Sequence, residues 1–184
     1  GSYAKSVNVF VLYYLGIVMK KKKDVCKMNP FEQLLPLGTQ FELITQESMD
    51  TQIHFFYQSC AQSVCCPNCQ KVSTHKHSRT KRKIRDLPIS GKEVYLHVRL
   101  HKWFCMNILC TTKIFTETID AAPAYQRNTL RVTECLRQLA FHSNCVQAAK
   151  LSTKLSLPVS HDTLLRIIYR TPVTVQTSPF PRYR

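Results

Sequence analysis

The chain has 184 residues, with 26 Lys+Arg against 11 Asp+Glu, a formal net charge of +15 and 44% hydrophobic residues, so it can build a core and is not globally disordered. Nine cysteines make about 5% of the chain, below the ~8–10% of a disulfide-built secreted scaffold, and an odd number cannot all pair, which points to reduced thiols in a cytoplasmic setting. The charge favours a polyanionic partner, nucleic acid first.

In chain order, residues 7–19 form an apolar run followed by Lys20 to Lys23. The run is shorter than the ~20 residues of a membrane helix, and its charges follow it rather than precede it as in a secretory signal. A packed strand or helix is expected there, or a leader ahead of a start at Met19 or Met28, in preference to a membrane-surface anchor. Residues 31–35 read as a helical turn stopped by Pro36, and residues 41–44 and 52–57 as strands separated by the polar stretch 45–50. Residues 93–103 alternate, with Val94, Leu96, Val98 and Leu100 on one face and Tyr95, His97, Arg99 and His101 on the other. That is a half-buried strand.

Beyond Pro123 the period becomes helical. Residues 127–141 place Val132, Cys135, Leu136, Leu139 and Ala140 on one stripe. A second helix over residues 145–155 buries Ala148, Leu151 and Leu155, and Ser156-Leu157-Pro158 ends it. Ser160 caps a third, packing Leu164, Leu165, Ile167 and Ile168 and showing His161, Thr163, Arg166 and Arg170 outward. Two helices joined by a short turn, the second capped and basic, make the helix-turn-helix pattern, which spacing alone does not separate from another helical hairpin.

The sharpest local chemistry is Cys66-Pro-Asn-Cys69 followed by Cys105-Met-Asn-Ile-Leu-Cys110. A Cys-x-x-Cys turn sets two thiolates on one side of a knuckle, and a second pair at a strand end completes a closed tetrahedral Zn²⁺ site. A redox motif would need no second pair. Cys65 is an alternative to Cys66, His75 and His77 are left out of the ligand set, and Cys26, Cys60, Cys135 and Cys145 read as small apolar residues. Residues 71–85 hold seven positive charges and no acid, of which Arg79, Lys81, Arg82, Lys83 and Arg85 are candidate phosphate contacts. The eleven carboxylates are scattered with no catalytic pair, phosphate-loop and nucleophile-elbow motifs are missing, and no catalytic residue is assigned.

Taken in order, Cys66-Pro-Asn-Cys69, His77-Ser78-Arg79, Arg85-Asp86-Leu87-Pro88, Trp103-Phe104-Cys105, Cys110, Ile114-Phe115-Thr116-Glu117 and Val159 to Arg166 resemble the IS-L-three family of insertion-sequence transposases. Asn29-Pro30-Phe31 and Leu34-Leu35-Pro36-Leu37 look like the start of those proteins. The resemblance implies a zinc-binding domain and a helix-turn-helix that recognise terminal inverted repeats, followed by a three-carboxylate catalytic domain. Arg184 falls about where that domain would begin.

The fold expected is therefore α+β, a β-rich zinc ribbon followed by an all-α helix-turn-helix bundle. Its parts are a leader (1–27), a zinc-binding domain (28–120), a helix-turn-helix domain (121–172) and a tail (173–184). The expected function is sequence-specific binding of double-stranded DNA at transposon ends, without catalysis, in the bacterial cytoplasm near the nucleoid. A homodimer is a candidate assembly, and no membrane or small-molecule partner is expected. In Ser160, His161, Thr163, Arg166 and Arg170 lie the candidate base and backbone contacts of the third helix. The alternatives are an RNA-binding or protein-interaction zinc module, or a helix-turn-helix transcriptional regulator.

Overall fold

Strand alternation organises the first half of the fold. A computed structural model describes residues 37–172, so the apolar run at 7–19 and the helical turn at 31–35 lie outside the described residues. Strands β1 (Phe41–Ser48) and β2 (Gln52–Ser59) form an antiparallel hairpin closed by Met49 N–H donating to Gln52 O at 2.8 Å. The hairpin is longer than the sequence pattern suggested. A bulge between Leu43 and Thr45 resets the register, so the polar residues 45–48 stay paired and exposed instead of forming the loop.

Two short strands, β3 (Val64–Cys65) and β4 (Val72–Ser73), pair as a separate ribbon. Then β5 (Lys76–Ile89) and β6 (Lys92–Phe104) make a long antiparallel hairpin turned at Ser90 and Gly91, both with positive φ (51° and 74°), as a two-residue turn of type I′ requires. The sheet order is β1-β2-β6-β5, with β2 parallel to β6, and β7 (Ile114–Thr116) pairs with the last residues of β6.

Val94, Leu96, Val98 and Leu100 are buried with Phe55, Tyr57 and Ile84 on the covered face of this sheet. On the opposite face Tyr95, His97 and Arg99 stay partly or wholly open, but His101 is buried. The exception has a local cause: His101 Nδ1 lies 3.3 Å from Glu117 Oε1, which also accepts from buried Trp103 Nε1 at 2.8 Å. Residues just past β7 thus close the end of a face that alternation alone reads as solvent.

Three helices follow: α1 (Leu130–His142), α2 (Cys145–Lys154) and α3 (His161–Arg170), capped by the side chains of Thr129, Asn144 and Ser160. Helix α1 begins three residues later than its pattern suggested because residues 127–129 run beside β5. Arg85 N–H donates to Arg127 O at 2.7 Å, and Thr129 N–H to Arg85 O at 3.0 Å. The helical core is Val132, Leu136, Ala140, Ala148, Leu157 and Leu164. Leu151, Leu155 and Leu165, expected inside, are exposed. Ser156 turns at φ 57° and Leu157 N–H reaches back to Ser152 O at 2.8 Å, which drives Leu157 into the place assigned to Leu155.

Among the described residues, sheet and helices belong to one compact unit of the chain. Asp86 at the end of β5 fastens them together. Its buried carboxylate accepts from Thr129 Oγ1 at 2.8 Å, from the Leu87 N–H at 2.9 Å and from Arg131 Nε at 2.6 Å, with Arg131 Nη2 on the second oxygen. A carboxylate 2% exposed is tolerable only with its acceptor sites filled. Asp86→Ala removes the cap partner and the ion pair together, and Arg131, still reaching solvent, softens the loss. A destabilisation of about 2–3 kcal/mol is expected in urea unfolding, with the earliest loss of amide protection in α1 to α3.

Candidate metal centre and nucleic-acid interface

Cys66 and Cys69 come from the loop between β3 and β4, whose tight knuckle is drawn closed by Gln70 N–H to Cys66 O and Cys66 N–H to Lys71 O, each 2.9 Å. Gln70 takes the left-handed conformation (φ 58°) that the reversal demands. The second pair flanks the loop after β6. Cys105 N–H donates to Lys113 O at 2.8 Å and Cys110 N–H to Asn107 O at 3.0 Å.

All four sulfurs lie within 4.8 Å of one another, with Cys66 to Cys110 at 4.0 Å and Cys69 to Cys105 at 3.5 Å. A tetrahedral zinc with Zn–S bonds of about 2.3 Å sets its sulfurs roughly 3.8 Å apart, whereas a disulfide would bring two to about 2.05 Å. The donor set and its spacing therefore fit a closed, structural Zn²⁺ site. Cys65 is exposed on β3 and outside the cluster, which decides for Cys66 as the ligand. Exposed His75 and His77 are outside it as well.

The thiol energetics point the same way. The Lys71 N–H lowers the Cys69 thiol to about 6. Cys105 feels a lowering Asn107 N–H, but burial and the neighbouring thiols of Cys69, Cys66 and Cys110 push it up to about 12. The Cys69 thiolate forms readily while Cys105 beside it resists ionising, so a dication is what lets the two carry charge together. Around them Asn68 Nδ2 bridges Cys110 Sγ (3.6 Å) and Thr111 Oγ1 (2.9 Å), and Trp103 and Phe115 pack as an apolar wall. Of the other thiols, Cys135 and Cys145 pack against the helical core as expected, while Cys60 is exposed, its Sγ 3.5 Å from Glu42 Oε2.

The basic stretch divides by strand alternation. Arg79, Lys81 and Lys83 project from one face of β5, exposed, with Lys83 Nζ 4.0 Å above the Tyr95 ring. Arg82 departs from the expected ridge. It points to the opposite face, where its guanidinium donates to Ala122 O (3.2 Å), Pro123 O (2.9 Å) and Gln126 O (2.9 Å), and burial lowers its pKa. Arg85 shares the Lys83 face, yet its guanidinium binds Asn128 Oδ1 at 3.3 Å and Pro158 O. These two arginines brace the sheet against the following segments.

On α3, His161, Arg166 and Arg170 are exposed, Thr163 is half-buried, and Ser160 accepts from the Thr163 N–H. A groove of about 770 Å³ joins the two elements, bringing Lys83 and Arg85 from β5 alongside Ser160, Thr163 and Arg166. Arg127 lines it too and is a cation that sequence reasoning passed over. Tyr169 was missed as well; it is 83% exposed. Its spacing from Leu165 and Arg166 on a helical projection was the available signal.

The fold and the four-thiol centre together define a zinc ribbon. Residues 62–110, which contain all four cysteines, match the family model of an ISL3-type zinc ribbon, the zinc-finger of transposase IS204/IS1001/IS1096/IS1165. Such a ribbon is not itself catalytic, and the match points to a DNA-binding, transposase-related role. No curated protein and no solved structure matches the chain. Among the described residues no helix is long and apolar enough to cross a membrane.

Cys69→Ser should abolish stoichiometric zinc by elemental analysis and lower stability by at least ~3 kcal/mol, a thermal shift on the order of 6–12 °C. Cys65→Ser should keep one zinc per chain and the parent melting temperature.

Proposed function

We propose that the chain binds duplex DNA at transposon-end inverted repeats, as the recognition part of a transposase-related protein. The observation that carries this reading is the groove in which the first turn of α3 meets Lys83, Arg85 and Arg127, with exposed Arg166 on the same rim. Helix α3 enters the major groove, where Arg166 is suited to a bidentate contact with guanine O6 and N7. Leu165 and Tyr169, exposed beside it, offer apolar surface to thymine methyl groups. Lys83 and Arg79 hold phosphates and supply affinity without sequence information. The zinc ribbon acts as a scaffold that locks the open end of the β5–β6 hairpin, and no chemical step is assigned to it.

The family match supports the DNA partner, and the helix pair α2–α3, with a left-handed turn residue and an N-capped second helix, supports the reading mode. An RNA-binding or protein-interaction role would leave duplex binding without preference for a repeat sequence.

Band-shift titrations separate the two contact types. Arg166→Ala should weaken the cognate repeat by ~1–3 kcal/mol and leave random duplex unaffected, whereas Lys83→Ala should weaken both alike and reduce the salt slope by about 1. Equal losses on specific and random DNA for both variants contradict the assignment.

A further inference from the structure

The open face of the sheet extends beyond Arg79 and Lys83, the two cations that the helix-turn-helix reading takes from it. Between β5 and β6 the register sets Lys81 directly opposite Arg99 and Lys83 opposite His97. The like charges of Lys81 and Arg99 repel across the strands, and a chain that keeps them side by side on an open face gains when an anion is laid over them. The acids of this face sit elsewhere. Glu42 and Glu47 lie on the far edge strand β1, opposite Gln58 and His54, and Glu93 is engaged by the Tyr95 hydroxyl at 2.6 Å. Arg99 donates to Gln58 Oε1 at 3.4 Å, a neutral partner. His97 is held below the ordinary histidine range by burial, by His54 and by Lys83, with Glu47 acting against them.

The aromatic groups of this face discriminate between kinds of nucleic acid. Phe56 and His97, neighbours on β2 and β6, stack with centroids 4.7 Å apart and planes 14° apart. That separation is the spacing of adjacent strands, so each ring turns a face to its cross-strand neighbour. His54 and Tyr95 repeat the arrangement at 5.4 Å and 19°. Rings stacked on one another in this way, with Lys83 over the Tyr95 ring, leave little open platform for unpaired bases, which single-strand binders require. What the surface presents is a row of cations, Lys81, Lys83 and Arg99, suited to the phosphates of a duplex.

A shallow cleft of about 450 Å³ runs over Phe56, Lys81, Lys83, His97 and Arg99, and Lys83 also lines the groove at α3. The two depressions thus share that residue. We propose that the open face of β5 and β6 is a second duplex-DNA surface, in which Lys81 and Arg99 grip the backbone of DNA flanking the segment read by α3. This rests on the α3 reading for its partner, but it adds a contact surface and Arg99, which no motif in the sequence marks.

The test uses the whole 184-residue protein and two duplexes, the repeat alone and the repeat extended by about one helical turn (~10 base pairs) on either side. Lys81→Gln combined with Arg99→Gln should reduce affinity for the extended duplex on the order of tenfold and its salt slope by about 2. The ratio of specific to random binding should hold, and the melting temperature should be equal or higher because the like-charge pair is relieved. Unchanged affinity and slope for the extended duplex, with Arg166→Ala still selectively impaired, overturn the sheet-face proposal and leave the α3 reading standing. A loss confined to single-stranded DNA or RNA overturns it too. If Arg166→Ala is also without effect on the repeat, the α3 reading fails as well.

Discussion

Four cysteine sulfurs within 4.8 Å are the constraint on which the rest of the ribbon depends. With Zn²⁺ the cluster becomes a covalent-strength tie between the loop after β3 and the loop after β6. The tie falls where the long β5–β6 hairpin opens, since Cys69 precedes β5 and Cys105 directly follows β6. Trp103, fully buried beside the sulfurs, shows that the metal is also the seed of a small apolar cluster that the short β3–β4 ribbon could not build for itself.

Geometry fixed at that end is carried along β5 to the other. The first eleven residues of β5, Lys76 to Asp86, lead from the knuckle side of the sheet, and Asp86 takes hold of the cap and first turn of α1 through Thr129 and Arg131. Arg82 and Arg85 strengthen the same junction by donating to carbonyls of the segments that follow the sheet. The position of α3 relative to the basic strand is therefore set by buried, hydrogen-bonded contacts rather than by a flexible linker. Rigid spacing of this kind is what a protein needs when one element reads bases and another holds phosphates, because each contact then restricts the register of the other.

Much of this was legible in local sequence. The two thiol pairs have ligand spacing, β6 alternates over its whole length, and Ser160 caps α3 as a short polar residue ahead of an apolar stripe should. What escaped was settled by partners distant in the chain. His101 follows the polar phase of β6 but is buried by Glu117, sixteen residues on. Leu151, Leu155 and Leu165 fit a helical stripe, yet the inner stripe was claimed by Leu157 from the turn. Arg82 and Arg85 belong to a run that reads as one basic ridge, but alternation turns Arg82 to the opposite face, onto the carbonyls of residues 122, 123 and 126, and Arg85, on the Lys83 face, is taken up by Asn128 and the carbonyl of residue 158. Arg99 lies outside that run altogether and becomes part of the cationic surface through cross-strand register with Lys81.

The most direct check on the account is X-ray absorption at the zinc edge of the purified protein, which reads ligand type and distance together. The four-cysteine centre predicts one shell of four sulfurs at about 2.3 Å. A shell containing nitrogen or oxygen at about 2.0–2.1 Å would contradict it, because a histidine would then have replaced a thiolate and the knuckle-to-knuckle tie described here would not be the one that holds the sheet.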